Sequence, residues 1–110
     1  MAKLEKTLYH EDFGRLLDRI EQGILRGSMS ASLEDKSDFS SGNTRCAVRV
    51  FERYSWLGNN RVSLNVVLFQ DGDGAVHLSA ITSGGSQAMF LKVNTFGESA
   101  FLDKLREIVG

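Results

Sequence analysis

The chain predicts an α+β fold: a two-layer sandwich with two amphipathic helices on one face of an antiparallel sheet. Three observations carry that reading. Thr44–Trp56, Arg61–Gln70 and Ala75–Ser83 alternate apolar and polar residues, which is the period of a strand with two unlike faces. Gly58-Asn59-Asn60 and Asp71-Gly72-Asp73-Gly74 separate these runs with turn-forming residues, so the three form an antiparallel meander. Two further segments, near the two ends, carry apolar residues at helical spacing. Each needs an apolar surface, and one side of the sheet supplies it.

Element by element, Lys3–Leu8 reads as a short first strand with Leu4 and Leu8 on one face. Over Glu11–Leu25 a helix is expected, because Phe13, Leu16, Leu17, Ile20 and Ile24 fall on one stripe. Glu11 and Arg15 are spaced for an i,i+4 ion pair, and Gly27 suits a left-handed helix end. Ser28–Leu33 alternates Met29, Ala31 and Leu33 against three serines, predicting a second strand. The polar stretch Glu34–Asn43 reads as a loop.

In the meander, Cys46, Val48, Val50, Tyr54 and Trp56 share one face of the first strand, and the expectation is that the helices cover it. Val62, Leu64, Val66 and Leu68 share a face of the second strand, and Val76, Leu78 and Ala80 a face of the third. Glu52 interrupts the expected inward face and suggests either a bulge or a position beyond the sheet edge. Ala88–Val93 fits either an extra strand or an irregular segment. Thr95-Phe96-Gly97-Glu98 matches a capping box, so a last helix is expected over about Glu98–Val109. The order is β-α-β-β-β-β-(β)-α, without repeats or linkers, and residues 1–110 read as one domain.

Composition bounds the function. The chain has 110 residues, 42% hydrophobic and 25% charged, as in an ordinary globular domain. Its formal net charge is −1, so no global field attracts nucleic acid or anionic lipid. A single cysteine, Cys46, excludes an internal disulfide and argues against a thiolate metal site. Met1–Lys6 has no apolar leader pattern, and no run has the length of a membrane span. A cytoplasmic protein without cofactor or metal is the simplest expectation.

The most suggestive constellation is Arg45, Arg49 and Arg53, four residues apart and therefore on one side of one strand. Residues 44–70 hold four arginines and one acid, Glu52. Such a row can bind phosphate or carboxylate, but the overall acidity and the lack of a matching aromatic platform favour a solvated face salted against neighbouring acids. Ala47, Phe51, Val67, Phe69 and Ile81 are assigned to the same outward face. A face with Phe51 and Phe69 is too apolar for plain surface, which points to a homodimer buried there with arginines at the rim. The plainer alternative is that loop 34–43 folds over it.

Ser83-Gly84-Gly85-Ser86 is a glycine-rich turn beside His77 and Ser79, a candidate ligand-facing loop without either phosphate-binding glycine motif. His77 faces away from Cys46 by pattern, and no acid or oxyanion site completes a catalytic set. Asp71–Gly74 lacks the later ligands of a calcium loop and reads as a hairpin turn.

Ser30–Asp35, Arg45–Ser55, His77–Phe90 and Asn94–Glu98 resemble an uncharacterised family of short bacterial proteins, a domain of unknown function. The resemblance spans almost the whole chain. It implies a bacterial, cytoplasmic, single-domain protein and transfers no catalytic positions. The leading expectation is a small non-enzymatic interaction module that self-associates. A shortened helix-grip domain binding a small molecule is the alternative, followed by nucleic-acid binding through the arginine row with Arg61. Catalysis ranks last.

Overall fold

Alternation over residues 44–84 is realised as one antiparallel sheet in the computed structural model, which describes residues 1–55, 60–84 and 91–110, residue 55 and residues 91–96 by backbone alone. The elements are β1 (Ala2–Leu8), α1 (Phe13–Gly27), β2 (Ser32–Ser41), β3 (Thr44–Ser55), β4 (Asn60–Asp71), β5 (Val76–Gly84) and α2 (Leu91–Val109). Strand order is β1-β5-β4-β3-β2, all neighbours antiparallel. The expected α+β sandwich and element order hold.

Paired residues of an antiparallel ladder point to the same side, so register sorts the faces. Leu4, Ala80, Val66 and Arg49 form one helix-facing row; Lys6, Leu78, Leu68 and Ala47 form the next. Phe13, Leu16, Ile20 and Ile24 of α1 and Phe101, Leu102, Leu105 and Val109 of α2 pack with them in a single core. Phe51, Leu64 and Leu68 at its centre are fully buried.

This register overturns one face assignment. Ala47, Arg49 and Phe51 lie at 1%, 3% and 0% exposure under the helices, while Cys46, Val48 and Val50 point to the uncovered side. Both faces of β3 can be buried, because its alternate positions carry either valines or alanine, phenylalanine and long arginine stems. The partner strand decides: Ala47, Arg49 and Phe51 pair with Leu68, Val66 and Leu64. Glu52 therefore needs no bulge. It stays in register with Ser63 on the open side, and its carboxylate meets Arg61 Nε at 2.8 Å.

Other departures are local. Ser28–Ala31 form a turn, closed by Ala31 N–H donating to Ser28 O, and β2 starts only at Ser32. It continues through the stretch expected to be a loop, because Gly42-Asn43 is a two-residue hairpin turn with Gly42 at φ +57°. The bulge in the sheet falls between Leu33 and Asp35. Asp12 caps α1 by accepting from Arg15 N–H at 2.9 Å, and Glu11 pairs with Arg19 rather than Arg15. Gly27 is not left-handed. Gly23 and Gly27 instead face α2, where a Cβ would come within 2.6 Å of Ile108 and of Lys104. Thr95–Glu98 lies inside α2 rather than at its start; the proposed strand Ala88–Val93 falls on residues 85–90, outside the described residues, and on the first turn of α2.

Candidate functional site

The two sides of the sheet divide the sequence-predicted site residues into two sets. Arg45, Arg49, Phe51 and Arg53 face the helices. Phe69, His77, Ser79 and Ser83 occupy the open side. Gly84 is the last residue of β5, opposite Val62, and Gly85 lies outside the described residues.

The arginine row works as a clamp between layers. Arg49, 3% exposed, is engaged on all sides. Its Nη1 and Nη2 donate to Asp38 Oδ1 and Oδ2 at 2.8 and 3.1 Å, a two-pronged contact to β2. Nε donates to Glu21 of α1 at 3.2 Å, and Nη1 also reaches Val48 O at 2.9 Å. Burial pulls the Arg49 pKa down, but hydrogen bonds to Asp38 and Glu21 outweigh it and leave it raised. Asp38 is correspondingly held below the ordinary aspartate value, chiefly by its hydrogen bond to Arg49.

Arg45 and Arg53 use aromatic rings instead of acids. The Arg45 guanidinium lies 4.3 Å from the centroid of Phe13 on α1, and Arg53 lies 4.6 Å from that of Phe101 on α2. Burial lowers the Arg53 pKa. Asp38 and Glu21, the acids that fix the middle of the row, were not singled out from sequence. Asp38 sits in a polar run that reads as loop, and only the β2–β3 register brings it beside Arg49. Elsewhere, Glu98 is 3% exposed, with the Met1 ammonium 2.8 Å from its Oε2. That approach is an ion pair without hydrogen-bond alignment.

The open side is organised in rows by the ladder. Lys3, Ile81, Asn65, Val50 and Asp35 form the first; Glu5, Ser79, Val67, Val48 and Ser37 the second; Thr7, His77, Phe69, Cys46 and Phe39 the third. Val48, Val50, Val67, Phe69 and Ile81 thus make an apolar centre ringed by polar and charged residues. Phe69 and Ile81 are 42% and 40% exposed, and Phe39 on the edge strand 61%. A shallow hollow of about 290 Å³ lies beside Phe69, His77 and Ser79. His77 Nδ1 is 3.4 Å from Thr7 Oγ1, and its ring is tilted against Phe69 at 6.4 Å between centroids.

Among the described residues, little catalytic chemistry is assembled. Cys46 and His77 are in one row but separated by β4, with Phe69 between them. Among the described residues, no three metal-ligating side chains cluster, and no helix is long and apolar enough to cross a membrane. Asp71–Gly74 is a hairpin turn, as expected: Gly72 is at φ +64°, and Gly74 N–H donates to Asp71 O.

The family model of DUF6054, a family of unknown function, matches residues 1–110. The chain belongs to this family. No curated protein and no solved structure matches it. Membership of DUF6054 agrees with the resemblance seen in the sequence and brings no assigned activity, so a functional reading of this DUF6054 chain rests on its own geometry.

Proposed function

We propose that this protein is a small interaction module that self-associates through the open side of its sheet. One observation carries the reading: Val48, Val50, Val67, Phe69 and Ile81 form a contiguous apolar centre with no described element over it. Contiguous apolar patches on soluble chains mark interaction sites. The polar ring around the patch has the anatomy of an interface rim. Five strands about 4.8 Å apart, some seven residues long at about 3.3 Å each, give a projected face on the order of 500 Å². Side-chain relief brings this toward the roughly 800 Å² per partner of a standard interface, and an affinity on the order of micromolar is the working expectation for the assay. A bacterial cytoplasmic setting suits the lone cysteine and the absence of a disulfide.

The other readings have less support. A helix-grip pocket needs space between α2 and the sheet, which Phe51, Leu64, Leu68, Phe101, Leu102 and Leu105 fill, each at most 2% exposed. Nucleic-acid binding needs a free arginine row, whereas Arg49 and Arg61 are committed to carboxylates and Arg45 and Arg53 lie on aromatic rings.

Sedimentation across about 1–200 μM tests the proposal, a range set by the expected affinity. The wild type should move from monomer to dimer, and Phe69→Ser with Ile81→Lys should remain monomeric while folded. A wild type that is monomeric throughout overturns it, as does a dimer indifferent to both substitutions.

A further inference from the structure

The rows of the open side also point to how two copies meet, and this inference rests on the self-association reading. We propose that the dimer is built about a two-fold axis lying between the two sheets and running along β4, so that β1 of one copy crosses β2 of the other.

The argument starts from the ladder. β4 is the middle strand of five. A two-fold along it sends each row onto itself in reverse. In the first row, Lys3 then faces Asp35 of the second copy, Ile81 faces Val50, and Asn65 faces its own symmetry mate. Val67 and Phe69 likewise meet themselves. In this row opposite charges thus fall together at both edges, apolar groups fall together next to them, and the side chain on the axis is an amide; in the other two rows Glu5 meets Ser37, Ser79 meets Val48, His77 meets Cys46 and Thr7 meets Phe39, with no like charges opposed. An amide carries both donor and acceptor, so a symmetric Asn65 pair satisfies itself. Such a polar pair also fixes register, because any sliding leaves it buried without partners.

The competing face-to-face arrangement puts the two-fold across the strands, along the second row. It exchanges the first and third rows. Phe69 then lands on Asn65, Phe39 on Asp35, and Lys3 on Thr7. An apolar ring pressed on an amide and an aromatic ring on a carboxylate are poor matches. Edge-to-edge pairing through β2 is opposed by its sequence: Glu34, Asp35 and Lys36 are exposed beside the bulge, the usual protection of a sheet edge. Twisted sheets pack at about 30°, which displaces an outer strand about 10 Å from the axis by some 5 Å. A lysine side chain spans that displacement.

The test uses two independent readouts. In a Cys46→Ser background, Asn65→Cys should cross-link efficiently with a short bismaleimide, and Ser79→Cys should not. A bismaleimide is used because facing sheets about 10 Å apart hold the two thiols beyond disulfide reach. Separately, Lys3→Glu and Asp35→Lys should each weaken the dimer about three- to tenfold, and the double variant should recover most of the loss. Cross-linking at Ser79→Cys instead of Asn65→Cys, or two charge reversals whose losses simply add, overturns the axis while leaving self-association standing. A monomeric wild type in sedimentation overturns both. If Asn65→Cys fails to fold, the charge exchange decides alone.

Discussion

Replacing the acids around Arg49 should damage this protein more than replacing Arg49 itself. The Arg49 side chain is 4% exposed, whereas those of Asp38 and Glu21 are 55% and 21% exposed. Removing the arginine as Arg49→Met keeps most of the packing volume. It leaves two carboxylates that can turn to water, so the loss is mainly that of charge-assisted hydrogen bonds whose acceptors resolvate, about 1–2 kcal/mol. Removing both acids as Asp38→Ala with Glu21→Ala leaves a buried cation without a counter-charge, a loss of about 3–5 kcal/mol. Adding Arg49→Met to that pair should then restore about 2 kcal/mol, because the uncompensated charge disappears. Urea unfolding, followed by far-ultraviolet circular dichroism below the dimerisation range, reads all three. In thermal melts, at roughly 4–6 °C per kcal/mol, the acid-free variant should unfold some 12–30 °C below the wild type. If Arg49→Met lowers the stability of the acid-free variant further, the charge of Arg49 is not what the acids serve, and the clamp is one of packing alone.

Three further expectations follow from the same structure. The hydrogen bond to Arg49 depresses the Asp38 pKa in the folded state, so its contribution is present above the ordinary value of 3.8 and is lost as pH falls through the lowered value. The stability gap between wild type and Asp38→Asn should therefore be full above about pH 5 and narrow toward pH 2, as acid titrations of denaturant midpoints would record. Gly23→Ala gains up to about 1 kcal/mol of helix propensity, yet it should lower stability because the new methyl meets Ile108 at 2.6 Å; in an Ile108→Ala background, which removes every contacting carbon, the same change should be neutral or stabilising in thermal melts. Arg53→Gln should cost about 1 kcal/mol through the lost stacking on Phe101, with Arg53→Lys retaining part of it.

Much of this fold is legible in the sequence because strand and helix periods are strong and the turn residues are explicit. β4 and β5 alternate so cleanly that Val62–Leu68 and Val76–Ala80 identify their buried side without help. β3 does not. Its valine face and its Arg/Phe face are both plausible interiors, since an arginine stem is as apolar as many core side chains. Only pairing with β4 settles the matter, and that is a tertiary fact. β2 was hidden for a different reason. An edge strand exposed on both faces has no hydrophobic period to detect, and Gly42-Asn43 was its one local signal. The open apolar side remains a valid inference, but its composition changed: Phe69, Val67 and Ile81 belong to it, while Val48 and Val50 replace Phe51 and the arginines.

The place of β1 has a consequence for synthesis. Ala2 pairs with Thr82 and Leu8 with Val76, so the first strand made is the last that can join the sheet. Until β5 has left the ribosome, β1 has no docking site, while the long β3–β4 hairpin already has all its local partners. The nascent chain therefore holds residues 2–8 unpaired until β5 emerges, and β5 then carries a bare inner edge. Closure by β1 must then outpace capture of that edge by another chain. A slowed or truncated message should reveal this as aggregation that an added peptide of β1 sequence suppresses.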